Sequence, residues 1–137
     1  MRAFWFLYTA PTPTPAAAAQ AVKSSTGERF VTVLGELEVL NAFGLRVFRR
    51  EVTAAQAQSS LTDFEKDLRD GIFQLRGLPD PVFERARQLS RQTTAKLGTR
   101  SAAILHVAAA LELGADYLYS FDQHQRKLAQ TVRLKVN

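Results

Sequence analysis

The stretch from Gly98 to the C-terminus constrains this chain more than any other. It runs Gly98-Thr99-Arg100-Ser101-Ala102-Ala103-Ile104-Leu105-His106-Val107-Ala108-Ala109-Ala110-Leu111, then Tyr117-Leu118-Tyr119-Ser120-Phe121-Asp122, then Gln125-Arg126-Lys127-Leu128-Ala129. An Ala-rich helix, capped by Ser101 and running to Leu113 with Gly114 as its C′ residue, leads into a short β-rich run. That run ends on a single carboxylate, where a second helix opens. The order sets Asp122 at the carboxyl end of a strand, where open α/β sheets bind their ligands. Asp122 also suits the N-cap of the helix Gln123–Thr131, and the two roles are compatible.

The rest of the chain supplies strands at both ends and helices between them. Residues 2 to 8 are aromatic and apolar without alternation, as in a strand buried on both faces of a parallel sheet. Pro11, Pro13 and Pro15 block regular structure until Pro15 opens a helix through Ala16–Val22. Ser24–Gly27 reads as a turn and Phe30–Leu34 as a second, β-branched strand. From Gly35 to Arg50, Leu37, Leu40, Gly44 and Val47 recur at helical spacing. Thr53 to Gln56 is a capping-box start, followed by the stripe Ala54, Ala57, Leu61, Phe64, Leu68, with Gly71 as the stop. Asp80-Pro81 reads as an N-cap and a first-turn proline, Val82, Ala86 and Leu89 as an apolar face, and Gly98 as its end. Arg133–Val136 closes with a short strand. The pattern predicts one α/β domain over residues 1–137, three layers α/β/α around a central, mostly parallel sheet.

Composition narrows the setting. The 137 residues are enough to bury a useful core, and the absence of cysteine excludes disulfides, a thiolate nucleophile and thiolate metal sites. A net charge of +5 suits a polyanionic partner such as RNA, DNA or an acidic protein. No stretch approaches the ~20 apolar residues of a membrane span. The opening Met1-Arg2-Ala3-Phe4-Trp5-Phe6-Leu7-Tyr8 imitates a secretory signal, but the prolines that follow make a first core strand the better account. A cytoplasmic location is the expectation.

The C-terminal run resembles the signature of PIN-domain ribonucleases, especially the VapC-like toxins of bacterial toxin–antitoxin pairs. The resemblance covers nearly the whole chain. It is most specific over residues 98–136, and next over Glu36-Leu37-Glu38-Val39-Leu40-Asn41-Ala42. It implies a set of four acids at the carboxyl ends of the sheet, holding one or two Mg²⁺ or Mn²⁺ ions that activate water and stabilise charge on a scissile phosphate. Glu38 matches the acid on the helix after the second strand, and Asp122 the acid that ends the fourth strand. These are the implied catalytic and metal residues, with Asn41, Arg100 and Ser101 in support of the site or its substrate. Read without the resemblance, Glu38 is a solvated helix carboxylate, and Glu36 is the adjacent register.

Two acids of the family pattern are missing. Ala103 occupies the slot of an Asp in the run Arg100-Ser101-Ala102-Ala103-Ile104-Leu105-His106, and a methyl group neither binds a cation nor accepts a proton. The first strand of the family ends in Asp-Thr-Ser, whereas here Phe4-Trp5-Phe6-Leu7-Tyr8 carries no acid. The implied activity is metal-dependent cleavage of single-stranded or tRNA-like RNA, here expected to be weak or lost, with Mg²⁺ or Mn²⁺ bound weakly or not at all. The implied partners are an antitoxin protein, RNA and a second copy of the chain. The alternative is a non-catalytic PIN-like module that binds an antitoxin or another protein.

The remaining polar residues have plainer readings. Trp5 and Phe6 read as core, with base stacking as the sharper role for Trp5. His106 reads as a hydrogen-bonded core histidine rather than a base or ligand, and His124 as exposed at a helix start. Arg85, Arg87, Arg91 and Lys96, and likewise Arg46, Arg49 and Arg50, decorate solvated helix faces, with phosphate contact as the alternative. Neither a Gly-rich phosphate loop nor a Ser/His/Asp elbow is present, which disfavours nucleotide hydrolases and α/β-hydrolases.

Overall fold

Phe30 and Val31 are adjacent, both buried, and belong to different core clusters. Successive residues of a strand point to opposite faces, so this pair shows a sheet covered on both sides. The computed structural model describes residues 2–5 and 26–136. Its sheet contains β1 (Arg2–Trp5), β2 (Glu28–Thr32), β3 (Gln74–Arg76), β4 (Tyr117–Tyr119) and β5 (Lys135–Val136). The five strands lie in the order β3-β2-β1-β4-β5, and every pair is parallel.

The helices are α1 (Val33–Phe48), α2 (Ala54–Arg69), α3 (Val82–Leu97), α4 (Ser101–Glu112) and α5 (Gln123–Thr131). The chain steps from β2 outward to β3, then crosses back over the sheet to β4. Right-handed crossovers therefore put α1 and α2 on one face and α3, α4 and α5 on the other. The packing agrees. Val31 gathers with Val39 of α1, Phe64 of α2 and Phe73, and Tyr117 and Tyr119 lean against that group. Phe30 and Leu118 gather with Val82, Leu89, Ile104, Val107, Leu128 and Leu134. The alanines of α4 explain how closely these layers approach. Ala108, Ala109 and Ala110 are fully buried, and small side chains let the helix lie against both sheet and neighbouring helices.

Several local readings shift by a residue or two. The second strand ends at Thr32 rather than Leu34, because the Thr32 hydroxyl accepts from Gly35 N at 3.2 Å and starts α1 early. Helix α3 is capped by Pro81, not Asp80, with no side-chain cap bond. Helix α4 has Arg100 at its N-cap, again without a side-chain bond, so Ser101 is the first helical residue and not the cap. Strand β3 has no counterpart in the sequence reading. All its residues are exposed, and it exists through its ladder to β2, with Phe30 opposite Gln74 and Thr32 opposite Arg76. Strand residues 6–8, the helix Ala16–Val22 and the side chains of Trp5 and Phe6 lie outside the described residues.

Candidate functional site

Strand order reverses at β1, since the chain leaves β1 toward β2 but β4 leads away toward β5. In an open parallel sheet the crevice outside the carboxyl ends at such a switch point is the usual ligand site. Register aligns that edge: Phe4 lies level with Phe30 and Leu118, and Trp5 with Tyr119. Thr32 and Ser120, both buried, close the two strands that flank β1. Asp122 follows Ser120 by two residues, and α1 begins directly after Thr32.

Glu38 lies on α1 and does not face open solvent. Its Oε2 hydrogen-bonds His106 Nε2 at 2.5 Å, with the imidazole fully buried and the carboxylate side chain 18% exposed. The first turn of α1 lies against that imidazole: a Cβ placed on Gly35 would sit 3.9 Å from His106 Cε1. His106 is thus the buried, hydrogen-bonded histidine that its apolar surroundings suggest. Its partner, a carboxylate 68 residues away, is not legible in the sequence. The one signal for the pair is that His106 follows Ala103 by one helical turn, so both share the inward face of α4.

Asp122 does the work of a cap. Its Oδ1 accepts from His124 N at 2.8 Å and Gln125 N at 3.1 Å, while its own N–H donates to Ser120 Oγ at 3.1 Å. Arg126 Nη1 donates to the Ser120 carbonyl at 3.0 Å, which ties α5 to the end of β4. His124 is exposed at the helix start, as expected, and its Nδ1 lies 3.1 Å from the Leu97 carbonyl.

The slot at Ala103 is buried and neutral. Gln125, fully buried on α5, donates through Nε2 to the Ala103 carbonyl at 3.4 Å. Gln125 Oε1 and Thr99 Oγ1 are buried without a hydrogen-bond partner among the described residues. The burial of Gln125 follows from its spacing with Leu128 and Ala129 on the inward stripe of α5. Asn41, Arg100 and Ser101 are exposed.

These donors do not make a cage for Mg²⁺ or Mn²⁺. A hard cation wants several convergent oxygens. Here one oxygen of Glu38 is engaged by His106, one oxygen of Asp122 by two backbone N–H groups, and the third position is a methyl. Among the described residues no three His, Cys, Asp or Glu side chains converge. The segment before Glu28 adds none, because it contains no Asp, Glu or His.

The basic helices are partly self-neutralised. Arg87 Nη2 lies 2.7 Å from Glu84 Oε2, and its guanidinium holds the Glu84 carboxyl below the usual carboxylate range. Arg46 pairs with Glu51 at 3.3 Å, and Arg85 approaches Glu112 at 3.9 Å. No helix among the described residues is long and apolar enough to cross a membrane.

No protein-family model matches the sequence, and no curated protein matches it. Among solved structures, the crystal structure of FitAcB from Neisseria gonorrhoeae aligns with a TM-score of 0.62, over 99% of this chain and 96% of that one, at 14% identity. The likeness is one of fold. It extends over nearly the full length of both chains.

Proposed function

We propose that this chain is a PIN-like domain of the VapC toxin type whose metal-dependent ribonuclease chemistry is impaired, and which works by binding protein partners. The antitoxin-type partner is what the resemblance of residues 98–136 implies, and the fold shared with FitAcB is compatible with it. One observation supports the impairment: Glu38 is hydrogen-bonded to the buried His106, and by the family resemblance Ala103 stands where a further acid is expected. Any residual chemistry falls to Glu38 and Asp122, with the exposed Asn41, Arg100 and Ser101 in support of RNA binding. Phe121, exposed beside Asp122, offers a partner segment an apolar anchor at the same edge. Self-association completes the reading.

The test is cleavage of single-stranded RNA and of tRNA by the purified chain in Mn²⁺, against Asp122→Asn. Asn caps a helix as well as Asp does, so that variant keeps the fold while removing the charge. Wild type and variant should be equally inactive. Robust Mn²⁺-dependent cleavage by the wild type, abolished in Asp122→Asn, would overturn the impairment.

A further inference from the structure

Helix α1 is apolar on two sides, and it ends on a bare aromatic ring followed by two free cations. Gly35 and Val39 turn inward, whereas Val33, Leu37, Leu40, Leu45 and Phe48 are exposed. Phe48, at 83%, is the most exposed large apolar side chain among the described residues. Arg49 and Arg50 follow it directly, both exposed, and neither guanidinium is engaged in an ion pair. Glu51, the one acid of this turn, is held by Arg46 at 3.3 Å. Arg46 also lies in the last turn of α1, where it meets the negative end of the helix dipole. Arg49 and Arg50 keep their charge for something outside the fold.

The backbone sharpens the point. Helix α1 closes through Arg50 N to the Val47 carbonyl and Glu51 N to the Arg46 carbonyl, both at 2.9 Å. Helices α2, α4 and α5 close with the same pair of bonds, centred on Gly71, Gly114 and Arg133. All four central residues are left-handed, with φ of +60° at Arg50, +74° at Gly71, +68° at Gly114 and +62° at Arg133. Glycine takes that conformation freely and a residue with a Cβ is strained in it. Backbone N–H groups already close the end of α1, so the Arg50 side chain is not needed as a cap. Strain that the fold does not require points to a use for the side chain. Arg133 has no exposed aromatic beside it, whereas Arg50 has Phe48.

We infer that Phe48, Arg49 and Arg50 form a binding site for single-stranded nucleic acid, the ring stacking on a base and the guanidinia meeting neighbouring phosphates. An exposed aromatic beside free cations holds single strands without sequence preference, because every base has a π-face and every link a charge. A lipid surface fits less well, since the cations sit at one end of the apolar line and Glu36 occupies the other. Helix α1 starts at the carboxyl edge, and its 16 residues at ~1.5 Å each set this turn roughly 24 Å from that start. The site is therefore separate from Glu38 and Asp122, needs no metal, and stands whether or not those acids act. Its contacts are to base faces and phosphates, which RNA and DNA strands share.

The test is fluorescence anisotropy of a labelled oligouridylate, and of the matching oligothymidylate, each of about 12 nucleotides, titrated with the full chain in EDTA. At ~50 mM salt both strands should bind, and a duplex of the same length should bind about tenfold more weakly because its bases are already stacked. Phe48→Ala should weaken strand binding by about tenfold. Arg50→Gly should weaken it by about threefold and reduce the slope of log affinity against log salt by ~0.7. The same variant should raise the thermal midpoint, because its left-handed strain is gone. A variant that folds better and binds worse separates the contact from the fold. Arg133→Gly should also raise the midpoint while leaving binding within about twofold. Equal affinities for wild type, Phe48→Ala and Arg50→Gly would overturn the site, as would a duplex that binds as tightly as the strands. So would no oligonucleotide binding up to ~100 μM, and capture of the chain by phosphatidylserine vesicles in that case would assign the turn to lipid. RNA cleavage, in either outcome, reports on Glu38 and Asp122 and not on this turn.

Discussion

At the scale of the residue, the Glu38–His106 bond is the most consequential contact in the molecule. It joins α1 to α4 at the carboxyl edge, between a fully buried imidazole and a mostly buried carboxylate. Removing either partner leaves the other short of a hydrogen bond in a place water does not reach freely. Glu38→Ala should therefore destabilise by ~1–3 kcal/mol, and His106→Ala, which also opens a cavity, by ~2–4 kcal/mol. Urea unfolding of both variants checks this. A cost within ~0.5 kcal/mol for Glu38→Ala is what a solvated surface carboxylate would show, and would refute the pair. Asp122 illustrates the opposite situation. Its role as N-cap was legible because a cap is local: acceptor and donors lie within three residues of each other, and the residue type alone suggests the bond.

At the scale of the element, the readable pieces are those whose stabilising contacts are short-range. Thr53 and Gln56 exchange side-chain and backbone hydrogen bonds at 2.9 and 3.1 Å, the box their spacing announces. Thr53→Ala should cost about 1 kcal/mol, seen as a lower midpoint in thermal unfolding, whereas Thr53→Ser should be nearly neutral. Gly98 and Gly114 end α3 and α4 at φ of +65° and +68°, where glycine is strain-free. Strand β3 was illegible for the converse reason. Gln74, Leu75 and Arg76 show no buried periodicity, and their order comes from β2, more than forty residues earlier in the chain. Helix α1 was readable as a helix but not as a two-sided one. Periodicity identifies an apolar line without telling whether a sheet or water lies against it.

At the scale of the whole molecule, the question is whether an ion can be held at the edge where β1, β2 and β4 end. A ligand that binds the folded state stabilises it by ~2.7 kcal/mol at a hundred times its dissociation constant. One millimolar Mn²⁺ acting on a 10 μM site would therefore raise the midpoint of a domain this size by roughly 10 °C. The wild-type chain should move by less than ~1 °C in thermal unfolding with and without Mn²⁺. A shift of several degrees, lost in Asp122→Asn, would show that enough oxygen ligands converge after all.

The sequence by itself determined the α/β class, the positions and caps of most helices, the strand that ends near Asp122, and the absence of acids at Ala103 and before Glu28. Each of these follows from residue type and near-neighbour spacing, which a linear chain displays directly. The tertiary structure decided that the strands order as β3-β2-β1-β4-β5 and that an exposed tripeptide serves as an edge strand. It also decided that Glu38 meets His106 rather than open solvent, and that one side of α1 is left to water. These outcomes depend on which distant segments the crossovers bring together. The energy of such a contact depends on its burial and partner, and neither is a property of a residue until the chain has closed around it.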